Sequence, residues 1–218
     1  MSRPLRIDFV SDIACPWCAI GLAALREALA RVGDAVGAEL HFQPFELNPQ
    51  MDAQGEDADE HLLRKYGMPR EQLERNRQVI RERGAALGFT FGRRTRVCNT
   101  FAAQRLLHWA GTLGMAQQLA LEQVLLTAYH EQDANVADAA VLQRLAREAG
   151  LDGDVAAEVL ASGQYSEAVR ARERYYLERG IHGVPAVIFD ERALISGGQP
   201  VAVFERALRE FAAQSLGD

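Results

Sequence analysis

Cys15-Pro16-Trp17-Cys18 is the part of this sequence best suited to chemistry. Thiol–disulfide exchange needs one thiolate to attack and a second thiol near enough to resolve the mixed disulfide. Two intervening residues at the start of a helix meet both needs. Cys15 is expected beside free backbone N–H groups at the positive end of the helix dipole. Cys18 is expected one turn on and deeper. The exposed dipole is worth only about 0.3–1 kcal/mol, so hydrogen bonds from the Trp17 and Cys18 amides and from Cys18 itself have to hold the thiolate. Pro16 has no N–H to offer and suits a first helical turn.

A second signal is Gly183-Val184-Pro185. A proline can open a strand without loss of a ladder bond, and in that reading Pro185 does only this. In the functional reading it is a cis-proline facing the cysteines, and the Val184 backbone pairs with an extended substrate. His182 lies three residues earlier. It either steadies the thiolate when protonated or is a surface loop residue. Trp17 either offers substrate an apolar contact or packs on the helix cap. Asp12 reads as a turn cap rather than a proton shuttle.

The third cysteine, Cys98, reads as a small buried apolar residue, with a third redox thiol as the sharper alternative. Zinc needs four ligands, and Cys98, His41, His61, His108, His130 and His182 are not at ligand spacing. No metal is therefore expected, and His41, His61, His108 and His130 read as structural or solvated.

The elements around these residues follow from periodicity. Leu5–Val10 reads as a strand. A helix runs from Pro16, with Ile20, Leu22, Leu25, Leu29 and Val32 at helical spacing, and Gly33 stops it. Ala38–Phe45 reads as a second strand, parallel to the first, and 46–58 as a loop. Helices are predicted near 59–66, 69–87, 99–113, 115–131, 137–149, 152–161 and 163–179, with Asp138 as a cap. Pro185–Phe189, a turn at Asp190-Glu191-Arg192, and Ala193–Ser196 form a hairpin. A last helix runs from Pro200 to about Ala213. The order βαβ, helical block, ββα is that of an α/β thioredoxin fold with a large inserted all-helical domain. The thioredoxin-like part would comprise 1–58 and 164–218, and the insertion 59–163.

Composition narrows the setting. The chain has 218 residues, 48% apolar and 25% charged, enough for a real core without disulfide staples. A net charge of −6 argues against a general nucleic-acid binder. No apolar run approaches a membrane span. The N-terminus lacks the apolar stretch and cleavage site of a signal peptide, so a cytoplasmic location is expected. In a reducing compartment a close cysteine pair is catalytic or metal-binding more often than structural.

Taken together, Asp12–Cys18, Phe45-Glu46-Leu47-Asn48-Pro49, Asn99-Thr100 with Arg105–Ala110, Gly180–Pro185 and Ile195–Pro200 resemble the DsbA-like branch of the thioredoxin superfamily, specifically its FrnE-like members. The likeness runs over nearly the whole chain. It implies a nucleophilic Cys15, a resolving Cys18, a cis Pro185, and an oxidase or isomerase role on protein disulfides. The redox pair would be its own cofactor, with glutathione as a candidate reductant. Partners would be protein or peptide thiols, and a homodimer through the helical block is compatible with the sequence.

Two other readings stay open. Kappa-class glutathione transferases and 2-hydroxychromene-2-carboxylate isomerases are similar in architecture. Their pattern has a serine near the first cysteine position and an acidic residue where Gln199 stands. A chaperone-like polypeptide-binding protein, using an apolar surface near Trp17, is the third.

Overall fold

The computed structural model describes residues 3–215, so the outermost limits of the predicted thioredoxin-like part, residues 1–2 and 216–218, lie outside it. Strand β1 (Leu5–Ser11) leads through a tight turn into α1 (Pro16–Val32), and β2 (Ala38–Pro44) returns parallel to β1, with Ile7 opposite Leu40 and Phe9 opposite Phe42. The chain then enters the helical block: α2 (Ala58–Tyr66), α3 (Arg70–Ala85), α4 (Phe101–Leu113), α5 (Met115–His130), α6 (Ala139–Glu148), α7 (Gly153–Ala161) and α8 (Ser166–Glu178).

The hairpin follows. Its strands, which come fifth and sixth in chain order, are Ala186–Phe189 and Ala193–Ser196, and α9 (Val201–Ser215) closes the described chain. Strands three and four are a two-residue ribbon missed by the sequence reading: β3 (Glu56–Asp57) pairs antiparallel with β4 (Arg96–Val97). The hairpin strands are therefore β5 and β6. A ribbon of two residues per strand has no room for the alternation that identifies a strand from sequence.

The main sheet has the order β2-β1-β5-β6, with β5 antiparallel to both neighbours. Every residue of β1 except Arg6 is buried, because both faces of this central strand are covered. Phe9 faces α1, where Gly21 lies close to its ring. Val10 packs on the other side with Phe45, Tyr176 and Ile181, under α8. Asp8 shares that side. It takes a two-point contact from Arg6 (2.9 and 2.7 Å) and a hydrogen bond from Gln43 Nε2 (2.6 Å), so a buried carboxylate is paired, as burial demands.

The helical block grips the outer edge of the sheet. Gln118 of α5 accepts from the Phe42 amide and donates to the Phe42 carbonyl, both at 3.1 Å. Gln104 of α4 donates to the carbonyls of Ser11 (3.0 Å) and Phe45 (3.1 Å). Apolar side chains of both parts form one cluster, running from Ile7 and Phe9 through Leu106, Leu121 and Leu125 to Leu142, Phe204 and Leu208. Among the described residues no helix is long and apolar enough to cross a membrane.

Candidate active site

The turn after β1 is set by Asp12. Its carboxylate accepts from the amides of Ala14 (3.0 Å) and Leu47 (2.6 Å), and its carbonyl accepts from the Cys15 amide (3.0 Å). This is the capping role expected of it. It joins the approach to α1 to the exit from β2. Asp12 is wholly buried, and that burial pushes its carboxyl up to about 6 against the pull of the two amides.

Cys15 is the N-cap residue of α1, with Pro16 behind it in the first turn. The amide geometry departs from expectation. The Cys18 amide donates to the Cys15 carbonyl at 3.0 Å, and the N-cap side chain receives no capping bond. In this dithiol form the Cys15 Sγ donates instead to the Val184 carbonyl at 3.5 Å, and Cys18 donates its thiol hydrogen to Cys15. Cys18 is fully buried, and burial followed by that hydrogen bond holds its thiol well above the ordinary range.

Pro185 is preceded by a cis peptide bond. Gly21 lies one turn beyond Cys18, and a β-carbon there would come within 3.1 Å of Pro185 Cγ. Cys15, Cys18, Val184 and Pro185 are thus brought together. Trp17 is half-buried under the Arg83 guanidinium, 5.2 Å from its ring centroid. Arg83 also donates to the Gly198 carbonyl at 2.6 Å. Gly198 passes so close to α1 that an added β-carbon would meet the Trp17 carbonyl at 2.9 Å. Gly198→Ala is therefore expected to push the motif helix away from this loop and cost about 1–3 kcal/mol. Denaturant titration checks it, and an unchanged midpoint would remove the argument.

Cys15 opens onto a cleft of about 1330 Å³ between the motif, the Val184 segment and the α2–α3 pair. His182 lies exposed on its rim and, among the described residues, makes no hydrogen bond to either cysteine. Arg94 donates to the Ala14 carbonyl at 3.0 Å, placing a cation one residue from the nucleophile position. His130, read as structural or solvated, is structural: it is buried against Phe91 and Tyr129. Burial first, and Arg94 second, push it down to about 3. His61 is also structural, bridging Glu56 (3.1 Å) and Asn48 (3.0 Å).

Glu122 went unnoticed in the sequence. It is fully buried on α5, and one oxygen accepts from the Ser11 hydroxyl at 2.9 Å while the other has no partner. Burial pushes it up to about 8. Its signal was an acid on the stripe Gln118, Leu121, Leu125, Tyr129, all at helical spacing on the buried face. Cys98 is buried in the same apolar cluster as the motif cysteines, and burial raises its thiol. Among the described residues no group of three or more His, Cys, Asp or Glu side chains is placed to hold a metal ion.

Comparison with known proteins agrees with this architecture. A crystal structure of a probable DsbA oxidoreductase from Streptomyces coelicolor is 34% identical, with a TM-score of 0.88 over 98% of this chain and 91% of that one. The uncharacterized protein YwbO of Bacillus subtilis (strain 168) is 26% identical over 211 residues, 94% of this chain and 96% of its own. The cytosolic disulfide reductase DsbM of Pseudomonas aeruginosa, solved with GSH, shares the fold at 21% identity and a TM-score of 0.64, over 94% of this chain and 99% of that one. The profile of the DSBA-like thioredoxin domain matches residues 6–209, and the chain belongs to that family.

Proposed function

We propose that this protein is a thiol–disulfide oxidoreductase acting on protein and peptide disulfides, with Cys15 as nucleophile and Cys18 as resolving thiol. One observation carries the reading. Cys15, 4% exposed, stands at a helix N-terminus and lines the cleft, its sulfur 3.5 Å from the Val184 carbonyl, and the wholly buried Cys18 thiol lies behind it in hydrogen-bond contact. In the reducing direction the Cys15 thiolate attacks one substrate sulfur, and the other leaves as a thiolate that takes up a proton. Cys18, once deprotonated, attacks the Cys15 sulfur. The second substrate thiolate leaves, and the protein holds the disulfide. Two electrons pass to the substrate. Oxidation of a substrate dithiol is the same sequence reversed.

Val184, Pro185 and Trp17 would form the substrate side of the site, with the Val184 backbone pairing to an extended segment and His182 at its rim. The thioredoxin-like part (1–58 and 164–218) supplies the pair and the insertion (59–163) the opposing wall. Glutathione is a fitting reductant for the Cys15–Cys18 disulfide, and no further cofactor is invoked.

The test is equilibration in glutathione buffers of graded potential, followed by alkylation and mass measurement. Cys15 and Cys18 should lose and regain their thiols together as one two-electron couple, with Cys98 alkylated throughout after denaturation. Direction follows from the midpoint. Couples in this superfamily span about 150 mV, or about 7 kcal/mol. Cysteines that stay reduced at every potential would end the proposal.

A further inference from the structure

Ten of the chain's 24 arginines and lysines fall between residues 64 and 96, against three glutamates. That stretch carries a net +7 in a protein whose total is −6. It folds as the end of α2, the whole of α3 and the segment leading into β4, and it forms the wall of the cleft opposite Cys15.

The carboxylates that line the cleft are already engaged. Asp59 is held by Arg70 and Arg77, Glu74 by Arg77, and Glu46 by Arg170. Asp57 caps α2 through the amides of Asp59 and Glu60. Arg64 pairs with Glu56, but four cations that line the cleft have no carboxylate partner among the described residues. Arg81 and Arg93 reach the cleft exposed and, among the described residues, with no hydrogen bond or ion pair. Lys65 and Arg94 bond only neutral acceptors: Leu47 O and Asn48 Oδ1 for the first, Ala14 O for the second. Between these charges lie Tyr66 and Val79, 53% and 46% exposed. The cleft volume, about 1330 Å³, exceeds the roughly 300–1,000 Å³ usual for small-molecule sites.

We infer that this wall docks acidic polypeptide segments, so that the substrates preferred by Cys15 carry aspartate or glutamate, with an apolar side chain, close to the reacting cysteine. The inference builds on the oxidoreductase reading and narrows its substrate class. Unmatched cations in a concave wall focus an attractive field on anions. Exposed Tyr66 and Val79 favour a chain with apolar side chains over a bare polyanion.

The test uses fluorescent ten-residue peptides whose cysteine is replaced by serine, in acidic, neutral and basic versions, with binding read by anisotropy. At low salt the acidic peptide should bind at least about tenfold tighter than the basic one. The advantage should collapse at 1 M salt, where the screening length is about 3 Å. The double variant Arg81→Gln/Arg93→Gln should lose most of it while keeping its circular dichroism and melting temperature. Equal binding of acidic and basic peptides, or a preference untouched by salt, overturns the inference. Arginine-dependent binding of glutathione with no peptide preference also overturns it, and assigns the cations to a small anionic thiol. Because the peptides cannot react, the outcome is separable from redox function. A protein that binds the acidic peptide but never cycles with dithiothreitol loses the oxidoreductase reading and keeps only the docking of acidic segments.

Discussion

Cys18→Ser should convert turnover into a trap, slowing disulfide reduction about a thousand-fold while leaving the first chemical step intact. Cys18 is fully buried and in hydrogen-bond contact with Cys15, so its attack on a mixed disulfide is intramolecular and pre-aligned. Groups held this way act at effective concentrations far above the millimolar levels of any external thiol. A serine in its place cannot resolve the adduct, which must then wait for a second molecule. Serine keeps a hydrogen donor and nearly the same volume, so the fold should survive. The check is intact-protein mass after mixing with a model peptide disulfide. One peptide per chain, mapped to Cys15, is the expected product. Cys15→Ser should give no adduct. An adduct on Cys98, or undiminished turnover, would reassign the roles.

The second large effect is on stability. Glu122 has its carboxyl pushed from 4.5 up to about 8 by burial. Folding must therefore protonate it at neutral pH. The stability linked to this group is fully present below pH 4.5 and is lost as pH rises through about 8. At 1.36 kcal/mol per unit the loss is about 3 kcal/mol at pH 7 and about 5 kcal/mol above pH 8. Glu122→Gln removes the titration and can still accept from Ser11. Its gain should be near zero at pH 5 and grow steadily to pH 8, reaching on the order of 10 °C in melting temperature at pH 7.

His130 works with the opposite sign. Its ring is pushed from 6.5 down to about 3, so its share of stability is present above pH 6.5 and is lost as pH falls towards 3. Asp12, raised from 3.8 to about 6, has the same sign as Glu122, but its share is lost earlier, as pH rises from about 3.8 through about 6. Melting temperatures across pH 4–9 decide the matter. A Glu122→Gln profile parallel to that of the parent would mean that Glu122 does not titrate as its burial requires.

Much of this protein is legible in its sequence because local signals agree. Pro16 opens α1, Asp138 caps α6 by accepting from the amides of Ala140 and Val141, and the hairpin turn falls at Asp190 and Glu191, both at positive φ. The cysteine pair is singled out by its spacing at the start of α1. What sequence could not give was contact across the insertion. Nothing local links Glu122 to Ser11, Gln118 to Phe42 or Arg94 to Ala14, since each pair is separated by 76 residues or more. Nor did spacing say which partner the Cys18 amide would choose. The helix's own hydrogen-bond pattern claims it for the Cys15 carbonyl, so the thiol turns to Val184.

The two-point bond from Gln118 to Phe42 also governs how molecules of this protein can meet. An unpaired sheet margin is a template for another chain, and β2 is one of the two margins here. With the Phe42 amide and carbonyl both taken by a side chain of the same molecule, a strand from another copy cannot bond β2 at that residue. Among the described residues, β6, four residues long, forms the other margin of the main sheet. Gln118 of α5 thus covers this margin of the sheet from within the molecule.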